Sequence, residues 1–178
     1  MRYLALLRGI NVGGNRIIPM TDLRRLIGAL GCTDVTTYIQ SGNVLFGSKL
    51  KNTETLSAAV EKAICTEFGC TVPVVIVSRT QLESVVKRAP AGFGSDPDQY
   101  RYDVVFVKPP NRAAAILPSV SLKEGVDEAF EGNGVLYLRR LIARASQSRL
   151  SRLTQHAAYG SMTIRNWKTT TELYRLSH

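Results

Sequence analysis

The 178-residue chain is 44% hydrophobic and 21% charged, with a formal net charge of +9. That length buries roughly 70% of the unfolded surface, so no disulfide or metal staple is required. The composition excludes a disordered chain, and the excess of cations favours anionic partners.

Arg2 to Arg8 reads as a strand, apolar enough to be central in its sheet. The same opening segment superficially resembles a signal peptide, but Arg8 and Gly9 cut its apolar run too short for secretion or for a membrane span. A cytoplasmic protein with no membrane segment is expected. Gly9 to Ile18 forms a loop, and Met20 to Leu30 a helix with Leu23, Leu26 and Ile27 on one face and Gly31 as its stop. Val35 to Ile39 and Val44 to Phe46 are β-branched and aromatic, joined by a tight hairpin at Ser41-Gly42. Thr53 to Phe68 is a second amphipathic helix ended by Gly69, and Val72 to Val77 a strand. The order β-α-β-β-α-β is the split βαβ, or ferredoxin-like, plan.

The remainder echoes that order without repeating its sequence. Thr80 to Lys87 and Asn111 to Leu117 read as short helices and Tyr102 to Val107 as a strand. Ala129 to Glu131 and Val135 to Ile142 read as a hairpin, and Ser146 to Ala158 and Ile164 to Leu176 as helices. The expected fold is α+β, two ferredoxin-like subdomains with mainly antiparallel sheets, spanning residues 1–78 and 79–178.

Cys32, Cys65 and Cys70 fit neither a CxxC pair nor a zinc knuckle, and His156 and His178 are the only imidazoles. No metal or cofactor is therefore expected. Charge is unevenly spread: from Gly134 onward there are eight basic residues against one acid, Glu172. A basic end of this kind suits a phosphate-bearing ligand or nucleic acid.

Three segments carry candidate binding residues. In Arg8-Gly9-Ile10-Asn11-Val12-Gly13-Gly14-Asn15-Arg16, glycines at the end of a strand let backbone N–H groups converge on an anion, with Arg8 and Arg16 adding charge. Gly9 and Gly14 have P-loop spacing, but Asn15-Arg16 replaces the lysine and hydroxyl that a nucleotide-hydrolysing loop needs. In the second segment Gln40, Ser41 and Asn43 offer donors and acceptors around a hairpin turn; Ser41 lacks the flanking glycines of a nucleophile elbow. In Thr163-Ile164-Arg165-Asn166-Trp167-Lys168, Thr163 fits a helix N-cap. That would place Arg165 in the first turn, against the dipole and in want of an anionic partner. Trp167, the single tryptophan, reads as a core anchor or a stacking platform.

Leu6–Gly14 (LLRGINVGG), Tyr38–Phe46 (YIQSGNVLF) and Thr163–Thr169 (TIRNWKT) together resemble the bacterial family of domain of unknown function 1697. Asn15 and Arg16 stand where that family commonly has a lysine, and Thr170 where it has a valine. The resemblance implies a two-part α+β fold of ferredoxin-like units and implies no activity. The leading expectation is a protein that binds a phosphate-bearing ligand, nucleic acid or nucleotide-like. The alternatives are a small enzyme acting on an anionic metabolite and a protein-interaction module of open oligomeric state.

Overall fold

In the computed structural model, which describes residues 1–14 and 16–178, the first half runs β1 (Arg2–Leu7), α1 (Met20–Ala29), β2 (Thr33–Tyr38), β3 (Asn43–Gly47), α2 (Thr53–Phe68), β4 (Val74–Ser78) and α3 (Arg79–Lys87). The second half runs β5 (Tyr100–Val107), α4 (Ala113–Ile116), β6 (Asp127–Gly132), β7 (Val135–Leu141), β8 (Met162–Asn166) and α5 (Trp167–Leu176). The chain forms two compact units, one of Met1–Leu82 with Leu173–His178 and one of Glu83–Glu172.

The first sheet has the order β2-β3-β1-β4 with every neighbouring pair antiparallel, the ferredoxin-like arrangement. Tyr3, Ala5 and Leu7 of β1 pack with Val44, Phe46, Val74 and Ile76 against Leu23 and Ile27 of α1 and Leu56, Val60 and Ile64 of α2. Each fully buried valine, leucine, isoleucine or phenylalanine among them contributes about 1.5–3 kcal/mol. On the opposite face Leu4, Leu6, Leu45, Val75 and Val77 are buried as well. Burial on both faces is why β1 is apolar at successive positions instead of alternating. Helix α2 is fixed at both ends: the Asn52 side chain accepts from the Thr55 N–H at 2.9 Å, and Gly69 closes it in the left-handed region at φ 66°. Ser57 Oγ donates to the Val74 carbonyl at 2.6 Å and Glu61 accepts from the Val74 N–H at 2.7 Å, docking α2 on the start of β4.

The β2–β3 connection is Ile39–Gly42, because Tyr38 pairs with Asn43; the hairpin is wider than Ser41-Gly42 alone. Its shape is dictated by packing under the turn. A Cβ on Gly42 (φ 75°) would lie 2.7 Å from Leu7 Cβ and 2.8 Å from Ile10 Cδ1.

The second sheet, β6-β7-β5-β8, repeats the topology of the first with all pairs antiparallel. The likeness extends to single bonds. Leu7 N–H donates to Gly42 O (2.8 Å) and Arg8 N–H to Pro73 O (3.0 Å), just as Val107 N–H donates to Gly134 O (3.0 Å) and Lys108 N–H to Ser161 O (2.8 Å). The crossovers differ. Helix α4 has four residues, and β7 reaches β8 through three 3₁₀ turns, Ile142–Gln147, Leu150–Gln155 and Ala157–Ser161.

The α-helix expected over Ser146 to Ala158 is thus absent, for a local reason. Ser148 and His156 are extended (ψ 142° and 137°) and separate the turns. Ser148 is held there by Asp127, a buried carboxylate that accepts from Ser148 Oγ (2.6 Å), Arg149 N–H (2.7 Å) and Lys123 N–H (3.0 Å). His156 is held by its own Nδ1, which accepts from the Ala158 N–H at 3.0 Å.

The segment expected as one helix over Ile164 to Leu176 is also corrected. Met162–Asn166 pairs along β5 in the register Val104↔Arg165 and Phe106↔Thr163, and α5 begins only at Trp167. The cap is Asn166, whose Oδ1 accepts from the Thr169 N–H at 2.7 Å, and not Thr163. Ser78, at the matching end of β4, accepts likewise from the Gln81 N–H at 3.1 Å.

Candidate functional site

The glycine loop and the β2–β3 hairpin meet at one end of the first sheet, where the Asn11 and Asn43 side chains hold the fold. Asn11 Nδ2 donates to the carbonyls of Ile18 (3.0 Å) and Gln40 (2.9 Å), while Asn11 Oδ1 accepts from the Ile18 N–H at 2.8 Å. Asn43 is fully buried, and its Nδ2 donates to Tyr38 O and Ser41 Oγ, both at 3.0 Å. The Asn11 N–H is directed to Arg16 O (3.2 Å), so with those of Arg8 and Ile18 it serves the loop rather than a convergent anion cradle.

Gly9, Gly13 and Gly14 have φ of 63°, 59° and 76°. Gly13, Gly14 and Arg16 are exposed, and Arg8 is half-buried. Arg16 Nη1 lies 3.6 Å from where a Gly9 Cβ would stand. Asn15 lies outside the described residues. Asn11, Arg16 and Ile39 also adopt positive φ, at 55°, 50° and 48°, each costing on the order of 1–3 kcal/mol.

Arg165 belongs to the other unit, as do Asn166 and Trp167. It sits on β8 at 8% exposure, with Nη1 donating to Thr163 Oγ1 (2.8 Å) and Ile164 O (2.9 Å). Burial pushes its guanidinium down to about 10, still protonated at neutral pH. As a strand residue Arg165 meets no helix dipole. Lys168 does, in the first turn of α5, and it makes no ion pair among the described residues.

Lys168 borders a pocket of about 520 Å³ in the second unit. Its wall combines three rings (Tyr100, Tyr102 and Trp167), two cations (Arg101 and Lys168) and Asn166. Two of these rings are set by Phe93, whose centroid lies 4.9 and 5.1 Å from those of Tyr102 and Trp167 and 5.2 Å from that of Tyr137, all edge-on. Phe93 is carried on a loop of close turns: its N–H donates to Pro90 O at 2.9 Å, and the Tyr102 hydroxyl accepts from the Asp96 N–H at 3.3 Å. Gly94 must be glycine here. Its φ is 85°, and a Cβ would lie 2.1 Å from Trp167 Nε1. Arg101 bonds Asp103 at 2.7 Å, which raises its pKa further. Arg139 stacks on the Tyr100 ring at 4.7 Å.

Of the residues lining this pocket the sequence points to Asn166 and Trp167, places Lys168 in the same segment without a role, and does not single out Tyr100, Arg101 and Tyr102. The available signal was Tyr100-Arg101-Tyr102 at a strand start, where i and i+2 share a face. A hollow of about 660 Å³ between α1 and β2 in the first unit is lined by Arg24, Arg25 and Asp34, with no ring. There Arg25 is paired with Glu67, which leaves little net attraction for an anion. Among the described residues no group of three His, Cys, Asp or Glu side chains is placed to hold a metal. Among the described residues no helix is long and apolar enough to cross a membrane.

The class defined by this geometry is a two-unit α+β protein of ferredoxin-like halves, the second bearing an aromatic and basic pocket. Residues 1–137 match the family described as protein of unknown function (DUF1697), and the chain belongs to that family. Its structure is similar to that of the conserved bacterial protein SP0830 from Streptococcus pneumoniae, with a TM-score of 0.87 and 26% identity over 99% of this chain and 98% of that one. No curated protein matches the chain.

Proposed function

We propose that this protein binds a phosphate-bearing ligand with a planar ring, of the nucleotide kind, in the pocket between Tyr100 and Trp167. The observation that carries the reading is the juxtaposition of stacking rings with Lys168, a first-turn cation without an ion pair among the described residues. A base stacked on such a ring gains about 1–3 kcal/mol. A phosphate opposite Lys168 restores the charge that the start of α5 favours. The volume of about 520 Å³ lies in the range of small-molecule sites. The glycine loop of the first unit is secondary in this reading, since Asn11 and the N–H groups of Arg8, Asn11 and Ile18 serve the fold. Stacking of RNA on an open sheet is not supported: Leu4 and Leu6 of β1, and Val104 and Phe106 of β5, lie on the faces such a surface would use, and all four are buried.

Trp167 is the only tryptophan, so its emission reports the pocket directly. Titration with adenosine 5′-monophosphate is expected to quench it. Lys168→Ala should weaken binding about tenfold, by loss of a charge-assisted contact, and flatten its salt dependence. Tyr100→Ala should weaken it comparably, and Arg16→Ala should leave it unchanged. Equal affinity for adenosine without its phosphate, or an emission indifferent to millimolar nucleotide, would falsify the proposal.

A further inference from the structure

The 3₁₀ crossover that replaces a helix in the second unit builds a separate cavity of about 300 Å³, which shares no residue with the Tyr100–Trp167 pocket. We propose that it is a site for a small tetrahedral oxyanion, a phosphate or the head of a phosphomonoester. Two segments line it: Ser119 and Ser121 from the connection after α4, and Arg152, Gln155 and His156 from the crossover. Leu153 is buried in the core beside Ile116 and Met162, so the turn bearing Arg152 and Gln155 is anchored rather than loose.

The donors can be assigned one by one. Arg152 makes no ion pair among the described residues, and no carboxylate lines the cavity. His156 Nδ1 accepts from the Ala158 N–H at 3.0 Å, so the neutral ring carries its proton on Nε2 and donates from there. The Ser121 hydroxyl and the Gln155 amide add two neutral donors. Ser119 is already committed, its hydroxyl donating to Ile116 O at 2.6 Å. One cation with three neutral donors in a small polar cavity without a tyrosine, tryptophan or phenylalanine ring suits a compact oxyanion.

Inorganic phosphate titrated into the whole chain at constant ionic strength tests this by NMR of the two histidine rings, with His178 as internal reference. His156 is expected to shift and His178 to stay. Arg152→Gln should weaken the binding about tenfold or more. His156→Asn, whose Oδ1 keeps an acceptor for the Ala158 N–H while removing the Nε2 donor and the ring reporter, is titrated with phosphate by calorimetry beside the wild type, and should bind more weakly with the far-UV spectrum intact. Lys168→Ala should leave the His156 response untouched, which separates this site from the nucleotide pocket. A silent His156, wild-type phosphate affinity in both Arg152→Gln and His156→Asn, or loss of the response in Lys168→Ala would overturn the assignment.

Discussion

Tyr137 is 1% exposed, and its hydroxyl donates to the Val85 carbonyl at 2.7 Å beneath the ring of Phe93. Burial pushes its phenol up to about 12. The consequence for stability has a definite sign. Above pH 10 the unfolded chain gives up this proton while the folded chain holds it, so the native state binds more protons and stability falls between about pH 10 and 12. Tyr137→Phe should cost about 1–2 kcal/mol at pH 8, where it strands the Val85 carbonyl. That deficit should shrink by pH 11, because the variant has no proton to lose. Urea melts of both proteins at the two pH values decide the matter, and an equal deficit at both would show that burial does not hold the phenol. Nothing in the sequence marked Tyr137 for this role, because its partner is a backbone carbonyl fifty-two residues away. Asn11 and Asn43 show the converse. Both were visible as polar residues near turns, but amide groups that can read a ligand are equally able to satisfy the backbone, and here they do so.

Elements of the first unit were legible because α1 and α2 carry continuous stripes, Leu23-Leu26-Ile27 and Leu56-Val60-Ile64, and end at Gly31 and Gly69. The crossover of the second unit was not. Leu150 and Leu153 are three apart, a spacing that α- and 3₁₀-helices share at short range. The choice between them falls to Asp127, which is remote in sequence. Strand β8 was missed for a related reason: Ile164, Trp167 and Tyr174 fit a helical stripe running straight through a stretch that pairing with β5 makes extended. Asp127→Ala tests which interaction sets the crossover. It removes the acceptor of three donors in a buried place, and should cost about 2–4 kcal/mol. Amide exchange should rise first over Ser148–His156, ahead of β5 and β7. Uniform exchange across the unit would mean that Asp127 supports the whole sheet and not the crossover alone.

At the scale of the whole molecule, one topology is written twice in unlike residues. Strand order, the paired backbone bonds after β1 and β5, and the caps at Ser78 and Asn166 recur. The side chains around them differ enough that the repeat shows in the order of elements and not in the letters. Hydrophobic pattern is what the fold requires, and many sequences supply it. The chemistry is not duplicated: Ser78 precedes Arg79-Thr80, whereas Asn166 precedes Trp167-Lys168 at the mouth of the pocket. The equivalent caps therefore allow fold and function to be separated. Ser78→Ala and Asn166→Ala should each lower stability by about 1 kcal/mol, the usual worth of an N-cap side chain. Only Asn166→Ala should also weaken nucleotide quenching of Trp167, because the first turn of α5 carries both Trp167 and Lys168. If both variants lose equal stability and neither alters the quenching, the start of α5 is structural scaffolding and the ligand is held elsewhere.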